Sequence, residues 1–242
     1  MRVAVMSDIH GFSLGLDVVL ADIEREGPFA AVVVAGDLCE VGPDPAGVLD
    51  RLRARDLVVV QGNTDRDLTA EDRWSSPAFD YTLSEIGADG VAYLASLPLT
   101  RRFTPPGGQS PADDLLVCHA NPHDLERKLQ PEMSDRELRE TIGETVAAAI
   151  AFGHHHVAYI RDLDGTLLVD VSAVGNPKDG DLRAKYGIVR WNDGTRRWDA
   201  EIRRLPYPLE ATAEQMLASG MPDPEKALRK LERASYRPQA ES

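Results

Sequence analysis

The sequence predicts an α/β protein, and three observations carry that prediction. Short apolar runs of strand length occur at 2–6, 31–35 and 57–60. Apolar residues at helical spacing fill the first interval, and Gly27-Pro28 ends that helix. Strands that are apolar at every position are typical of a parallel sheet covered on both faces. We therefore expect a strand–helix–strand–helix–strand unit at the start of the chain.

The second helix of this unit has a clear start signal. Asp44 and Pro45 form an N-cap and first-turn pair, and apolar residues follow at helical spacing over 48–52. The segment 66–82, after the third strand, is polar, so we expect a loop or a broken helix over the sheet edge there. The Pro-rich and Gly-rich segment 104–114 predicts a hairpin or an exposed turn.

The second half of the chain predicts more strands. Apolar runs resume at 115–118 and 149–152, and spacing over 138–146 predicts a helix between them. Asp164-Gly165 and Asp193-Gly194 are strong hairpin signals within an alternating pattern. Two short helices are expected in the C-terminal part, and no repeat or linker is visible. We therefore expect a single domain over 1–242 with short C-terminal helices at 210–234.

Composition excludes several classes of function. The 242-residue chain has 27 basic and 40 acidic side chains, for a formal net charge of −13, which disfavours binding to long nucleic acids or anionic membranes. An anionic substrate would therefore need bound cations. The two cysteines, Cys39 and Cys118, cannot form a disulfide framework and are expected to be buried. No apolar run reaches the roughly 18–20 residues of a membrane span, and we expect a cytoplasmic protein.

Polar side chains follow the predicted strands where each one ends. In an open α/β sheet, ligands bind beyond the carboxyl ends of the strands, so these side chains are expected to share one rim. Carboxylate, amide and imidazole donors together suit Mn, Fe, Zn or Ni rather than a thiolate site. Seven donors exceed what one ion recruits, but they fit two ions about 3.5–4 Å apart that share a carboxylate. The candidate metal ligands are Asp8, His10, Asp37, Asn63, His119, His154 and His156.

Each of these residues also has an ordinary structural interpretation. Asp8 is in a position to cap the first helix, while Asp37 and Asn63 are residues common in turns. His119 alone is typical of a partly buried imidazole, and the run 154–156 is also typical of a surface tract. The order of all seven at successive strand ends favours the functional interpretation.

The ordered motifs resemble those of the calcineurin-like metallophosphoesterases, in particular a small bacterial and archaeal branch. The resemblance covers essentially the whole chain, including the segments around 41–45 and 174–181. The motifs are Asp8-Ile9-His10, Gly36-Asp37, Gly62-Asn63-Thr64-Asp65, His119-Ala120-Asn121-Pro122 and Gly153-His154-His155-His156.

The resemblance implies a four-layer αββα sandwich, with two mixed sheets flanked by helices and two divalent metal ions at one edge. It implies that Asp37 bridges the ions. A hydroxide shared by both ions would be the nucleophile. Manganese is the expected metal, with Fe, Ni, Co, Zn or Mg as alternatives. The implied ligands are Asp8, His10, Asp37 and His156 for the first ion, and Asp37, Asn63, His119 and His154 for the second.

One position departs from the family pattern. Family members usually have His where this chain has Thr64, so a proton donor worth about 10²–10⁴-fold in rate is missing. Three explanations are open. The substrate has an activated or strained leaving group, which we favour; His123 or His155 substitutes; or hydrolysis has been lost. His123 is also interpretable as a surface loop residue, and His155 as a residue without a catalytic role between two candidate ligands.

Two basic residues complete the candidate site. Lys178 and Arg183 lie in a turn-rich segment from which either could reach a phosphate, although both are equally typical of solvated surface charges. Together these features predict a metal-dependent phosphodiesterase acting on a small, possibly cyclic-nucleotide, substrate. The alternatives are a phosphomonoesterase or dinucleoside-polyphosphate hydrolase, and a non-catalytic scaffold with the same fold. A homo-oligomer is compatible with the sequence.

Overall fold

The computed structural model describes residues 1–55, 57–72 and 75–236. The remaining parts of the predicted domain, 56, 73–74 and 237–242, lie outside the described residues. Within these ranges the chain forms two five-stranded mixed sheets and seven α-helices. The strands are β1 (Arg2–Met6), β2 (Ala31–Val34), β3 (Val58–Val59), β4 (Thr100–Phe103), β5 (Leu115–Cys118), β6 (Ala149–Phe152), β7 (Tyr159–Leu163), β8 (Thr166–Asp170), β9 (Ala184–Asn192) and β10 (Arg197–Leu205). The helices are α1 (Ser13–Glu26), α2 (Pro45–Arg53), α3 (Asn63–Thr69), α4 (Pro77–Ala95), α5 (Asp135–Ile142), α6 (Leu209–Ala218) and α7 (Pro224–Arg233).

Both sheets combine three parallel strands with two antiparallel-paired ones, at one edge of the first sheet and at both edges of the second. The first sheet has the order β10-β9-β1-β2-β3, in which β1, β2 and β3 are parallel. The second has the order β4-β5-β6-β8-β7, in which β5, β6 and β8 are parallel. The hairpins predicted at Asp164-Gly165 and Asp193-Gly194 are confirmed, since β7 pairs with β8 and β9 with β10 in antiparallel register.

The alternation of side chains along β1 explains the layers. Val3 and Val5 are buried in a core that also contains residues of the second sheet. Ala4 and Met6 point the other way, into the core shared with α1 and α2. A third core joins the outer face of the second sheet to α5. The order helix, sheet, sheet, helix confirms the four-layer αββα sandwich.

Two helices begin and end at the expected chemical signals. The Asp44 side chain caps α2 by accepting a hydrogen bond from the Gly47 backbone N–H at 3.0 Å. Helix α5 is shorter than the apolar spacing over 138–146 predicted. It ends at Gly143, whose φ of 55° is a left-handed conformation, so Thr145 and Val146 lie beyond it.

The polar segment at 66–82 is more helical than predicted. Helix α3 ends at Thr69, and the 19-residue helix α4 starts at Pro77 behind a Ser76 cap. Gly87 has φ 59° and ψ −174°, which breaks the helical conformation inside α4. Because of this glycine and the weak apolar periodicity around it, the sequence pattern did not predict the helix. Packing against α2 and α3 stabilises it.

The other expectations about local structure have clear outcomes. The segment 104–114 contains a 3-10 turn at Pro111–Asp113, and Cys39 and Cys118 are free and buried as predicted. In the described part of the chain, no helix has the length and apolarity needed to cross a membrane.

Candidate metal centre

The seven candidate ligands come together at the carboxyl edge of both sheets. Asp8 and His10 follow β1, and Asp37 follows β2. Asn63 opens α3 directly after β3, and the remaining three histidines follow strands of the second sheet. Helix α1 begins only at Ser13, and its N-cap residue is Phe12, so Asp8 does not cap that helix. The residues contributed by the second sheet are His119 after β5, and His154 and His156 after β6.

Asp8, His10 and His156 form the first cluster, and all three are buried. The Nε2 atoms of His10 and His156 lie 3.2 Å apart. Asp8 Oδ1 lies 3.0 Å from His156 Nε2 and 3.7 Å from His10 Nε2. Three potential donor atoms thus converge on one point.

The second cluster consists of Asp37, His119 and His154, with Asn63 beside it. His119 Nε2 is 3.0 Å from Asn63 Oδ1 and 3.1 Å from His154 Nδ1. Asp37 Oδ1 is 3.5 Å from the same His119 nitrogen. This cluster therefore has a carboxylate, an amide oxygen and two imidazoles.

Asp37 connects the two clusters through its two oxygens. Oδ2 lies 3.6 Å from His10 Nε2, whereas Oδ1 lies 3.5 Å from His119 Nε2. A carboxylate with one oxygen facing each cluster has the geometry of a bridging ligand.

Backbone carbonyls determine which nitrogen of each imidazole carries its proton. In all four rings, the nitrogen facing away from the cluster lies within hydrogen-bonding distance of a carbonyl oxygen, so it donates its N–H there. The inward nitrogen then keeps a lone pair, as in metal-ligating histidines. The pairs are His10 Nδ1 with Glu40 O (3.0 Å), His119 Nδ1 with Ala35 O (2.7 Å), His154 Nε2 with Glu126 O (3.0 Å) and His156 Nδ1 with Asn176 O (2.5 Å).

This donor set fits divalent metal ions. With the outer nitrogens protonated, His10 and His156 present two lone pairs to each other. Asp8 Oδ1 beside them is buried and accepts no hydrogen bond from the described residues. Two lone pairs that face each other, beside a carboxylate oxygen without a hydrogen-bond donor, repel one another. A bound cation would remove this repulsion and satisfy all three atoms.

The pKa shifts differ among the ligand residues. Burial lowers the pKa of His154 to about 4, and the nearby charge of His119 adds to that effect. Burial also lowers the pKa of His10. The pKa of Asp8 is raised by burial but lowered more by its histidine neighbours, first by His156, so its net shift is downward. Neutral His10 and His154 and an ionised Asp8 are thus in the states that bind a metal. For His119, burial lowers the pKa but the charges of Asp37 and Asp8 raise it more, so its net shift is upward.

The backbone around the ligands is held in unusual conformations. Five of the seven candidate ligands have positive φ, between 52° and 65°. Such residues cost of order 1–3 kcal/mol each and persist only where the surroundings enforce them. Gly62 shows how tight the packing is, because a Cβ there would lie 2.2 Å from Asp37 Oδ1. The five residues are Asp8, His10, Asp37, His154 and His156.

Asp65 holds Asp37 in place, a role that our sequence interpretation did not assign. Its buried carboxylate accepts hydrogen bonds of 2.9 Å from the backbone N–H groups of Asp37, Leu38 and Gly62. Burial, followed by the charge of Asp37, raises the pKa of Asp65 to about 7. The available signal was its acidic position in the Gly62-Asn63-Thr64-Asp65 motif.

Thr64 and the two remaining histidines differ in what they contact. The Thr64 backbone N–H donates to Asp37 Oδ1 at 3.0 Å, while its buried hydroxyl has no hydrogen-bond partner among the described residues. The His155 ring stacks on Tyr236, with centroids 5.6 Å apart. His123 Nε2 lies 2.8 Å from the Ile142 carbonyl oxygen. Only Thr64 of these three contacts a candidate ligand side chain.

The two candidate phosphate-binding residues differ in placement. The Lys178 backbone N–H donates to the His156 carbonyl, and its ammonium donates to Asn176 Oδ1 at 2.5 Å. Arg183 is exposed, and its guanidinium is paired with Asp181. Lys178 therefore borders the first cluster, whereas Arg183 is already paired to a carboxylate.

Two stacked mixed sheets with a pair of Asp/His clusters at one edge define an α/β protein able to bind metal ions there. The model for the "Calcineurin-like phosphoesterase superfamily domain" matches residues 1–194. The chain therefore belongs to the calcineurin-like phosphoesterase superfamily, as its motifs predict.

Two solved structures are similar to this chain in fold, and a third protein is similar to it in sequence. A metallophosphoesterase from Sphaerobacter thermophilus aligns with a TM-score of 0.74 and 24% identity, covering 97% of this chain and 100% of that one. Hypothetical protein PH1004 from Pyrococcus horikoshii aligns with a TM-score of 0.78 and 15% identity, covering 98% and 99%. The Methanocaldococcus jannaschii protein MJ0912 is 24% identical over 244 residues, covering 91% of this chain and 94% of that protein.

Proposed function

We propose that this protein hydrolyses phosphate esters with two divalent metal ions held at the paired clusters. The observation that carries the proposal is the placement of Asp37, whose two oxygens face His10 and His119 in different clusters. The proposed ligands are Asp8, His10, Asp37 and His156 for the first ion, and Asp37, Asn63, His119 and His154 for the second.

The chain's own contribution is positioning and electrostatics. When bound, two such ions lower the pKa of a shared water and neutralise phosphoryl oxygens. The backbone carbonyls orient the imidazoles, and Asp65 fixes the Asp37 backbone, so the donors are arranged before substrate arrives. Lys178, beside His156, is placed to bind a phosphoryl oxygen.

Manganese is the metal that we propose. The donors are carboxylate and amide oxygens mixed with imidazole nitrogens, and no thiolate contributes, since Cys39 and Cys118 lie buried in apolar cores. This mixture suits Mn better than metals that favour sulfur, and it leaves Fe, Ni, Co, Zn and Mg as competitors to be compared directly.

A phosphodiester is the substrate class that we favour, because of Thr64. Its hydroxyl is buried without a partner among the described residues, and it has no proton to release near neutral pH. A leaving group that needs protonation would therefore react slowly, whereas an activated or strained diester would not.

Metal reconstitution tests this proposal. The protein is stripped with chelator, and turnover of bis-p-nitrophenyl phosphate and p-nitrophenyl phosphate is measured after separate addition of Mn, Fe, Ni, Co, Zn or Mg. We expect the fastest diester turnover with Mn and two bound ions per chain. Faster turnover of the monoester would mean that the activity is that of a phosphatase rather than a phosphodiesterase. Full occupancy without turnover of either compound would favour the scaffold.

A further inference from the structure

A cavity of about 300 Å³ lies next to the first cluster, between α4 and α7. Its wall includes Glu40, whose backbone carbonyl is the hydrogen-bond acceptor of His10 Nδ1. The electrostatic effect of Asp37 also reaches the Glu40 side chain: burial, followed by that charge, raises the pKa of Glu40 to about 7. The cavity therefore adjoins the outer side of the His10 imidazole, and Glu40 is the residue that connects its wall to the first cluster.

The lining of this cavity has two kinds of surface. Val41, Tyr81 and Met221 form an apolar part, and the Tyr81 hydroxyl is anchored by donating to the Pro43 carbonyl at 2.7 Å. Val41 has a φ of 104°, a strained conformation for a β-branched residue. A volume at the lower end of the range for ligand sites, about 300–1,000 Å³, suits a small organic group.

The second kind of surface is cationic. Lys226 and Lys230 of α7 line the same cavity, one helical turn apart. On an adjacent face of α7, Leu231 is buried in an apolar cluster with Leu228 and Ala227 packed against it, and Ala227 also lines the cavity, so the helix is anchored beside it. In a chain with a net charge of −13, two ammonium groups on one wall are a local concentration of positive charge, although Asp223 and Glu40 line the same cavity.

These ammonium groups are available to an anion. Lys226 lies 4.0 Å from Asp223, and both side chains are more than half exposed, so the pair is weak. Among the described residues, no carboxylate lies within 4.0 Å of Lys230. Arg233 follows Lys230 on the same helix. Burial, followed by the charges of Arg233 and Lys230, lowers the pKa of Lys178 to about 8, and the Lys178 backbone N–H donates to the His156 carbonyl. Lys230 therefore lines the cavity and also acts electrostatically on Lys178, whose backbone is hydrogen-bonded to that of His156.

We propose that the substrate carries a second phosphoryl group, which Lys226 and Lys230 bind while the organic part between the two phosphates rests in the cavity. This inference rests on the proposed phosphoester hydrolysis and narrows its substrate class to bisphosphorylated compounds of nucleotide size. The scissile phosphate lies at the metal centre, and the second phosphate is held at α7.

A matched pair of probes tests this inference with the Mn-loaded full chain. Thymidine 5′-(p-nitrophenyl phosphate) and the same compound with a 3′-phosphate share a scissile bond and a leaving group, and differ only in the second phosphate. Two charge-assisted contacts predict a KM about tenfold lower for the 3′-phosphorylated probe. The ratio is expected to shrink at high salt, because exposed charges are screened.

Variants of α7 identify the residues responsible. The Lys226→Ala/Lys230→Ala double variant should bring the KM ratio close to one, and Lys226→Arg/Lys230→Arg should preserve most of it. Arg229→Ala is the matched control, since Arg229 is an exposed cation of the same helix that does not line the cavity. A wild-type ratio near one, or an unchanged ratio in the double alanine variant, would overturn the inference.

Binding measurements separate this inference from the proposed function. Calorimetry compares thymidine 3′,5′-bisphosphate with thymidine 5′-monophosphate on wild type and the double alanine variant. If neither nitrophenyl probe is hydrolysed but the bisphosphate binds more tightly in a Lys226- and Lys230-dependent way, the hydrolase proposal fails and the subsite stands. If both probes are hydrolysed with equal KM, the proposed second-phosphate subsite is wrong and the proposed hydrolase activity stands.

Discussion

The Nε2 atoms of His10 and His156 lie 3.2 Å apart, although 146 positions separate the two residues in the sequence. His10 follows β1 of the first sheet, and His156 follows β6 of the second. Their meeting therefore depends on how the two sheets stack, and it places the first cluster across the boundary between them. Changes at this edge are expected to affect metal binding in both halves of the centre.

Replacing Asp37, the proposed bridging carboxylate, should empty both sites together. In Asp37→Ala, each cluster loses one oxygen ligand, so we expect metal content to fall from two ions per chain to well below one and diester turnover to fall at least 10³-fold, comparable to other losses of transition-state stabilisation. Elemental analysis after desalting, alongside turnover, measures this. Asp50→Ala, at an exposed carboxylate of α2, is the control. An Asp37→Ala protein that keeps one ion and its rate would show that Asp37 does not bridge.

Metal binding should also stabilise the fold. A ligand that binds only the native state raises the free energy of unfolding by RT ln(1 + [L]/Kd), which is about 2.7 kcal/mol when the free ligand concentration is one hundred times Kd. We therefore expect Mn to raise the melting temperature of the chelator-treated wild type by several degrees. The same addition should leave Asp37→Ala nearly unchanged. Equal shifts in both proteins would mean that Mn binds elsewhere.

Restoring histidine at position 64 should help poor leaving groups selectively. Thr64 contacts Asp37 through its backbone, and its side chain has no partner, so a histidine there can supply the missing proton donor. We expect Thr64→His to raise turnover of alkyl phosphodiesters by tenfold or more relative to p-nitrophenyl diesters. Thr64→Val, which removes only the hydroxyl, is the comparison. An equal effect on both substrate types would refute the proton-donor argument.

Asp65 should act through Asp37 rather than on substrate. Asp65→Ala removes the acceptor of three backbone N–H groups, so we expect Mn affinity to fall about 10–100-fold, as for other residues that support metal ligands. Titration calorimetry measures the affinity, and saturating Mn should restore much of the activity. Asp89→Ala, at an exposed carboxylate of α4, is the control. Lost turnover with unchanged affinity would argue for direct contact with substrate instead.

Away from the metal centre, Asp22 should be a major contributor to stability. This buried carboxylate of α1 accepts hydrogen bonds from the Tyr186 hydroxyl at 2.8 Å and from Arg203 Nε at 3.2 Å, joining the helix to β9 and β10. We expect Asp22→Asn to lower the free energy of unfolding by about 2–3 kcal/mol in urea titrations. Asp17→Asn, in a half-exposed pair with Arg51, should cost less than about 1 kcal/mol.

The contribution of Asp22 should depend on pH with a definite sign. Burial raises its pKa, but hydrogen bonds from Arg203 and Tyr186 outweigh burial, so its folded-state pKa lies below the ordinary value of 3.8. The stabilisation is therefore complete above the unfolded-state pKa and is lost as the pH falls through the folded-state value. The difference between wild type and Asp22→Asn should be constant near neutral pH and shrink below about pH 4. A difference that grows in acid would contradict this assignment.

Local patterns predicted much of the fold, and their failures have identifiable causes. The apolar runs of β1, β2, β5 and β6 and the dipeptides at the two hairpins are short-range signals, and the structure confirms them. Helix α4 was missed because Gly87 interrupts its periodicity, and its stability comes from packing on distant residues. Helix α5 was predicted too long because Gly143, not apolar spacing, decides its end.

For the centre, the sequence by itself determined the chemistry: which donors stand at which strand ends, and that a proton donor is absent at Thr64. Only the tertiary structure decided the geometry, including Asp37 between the clusters, the carbonyls that orient each imidazole, and α7 beside the cavity. The physical reason is that donor types are properties of single residues. Distances between them depend on the stacking of two sheets, which no local segment of the chain encodes.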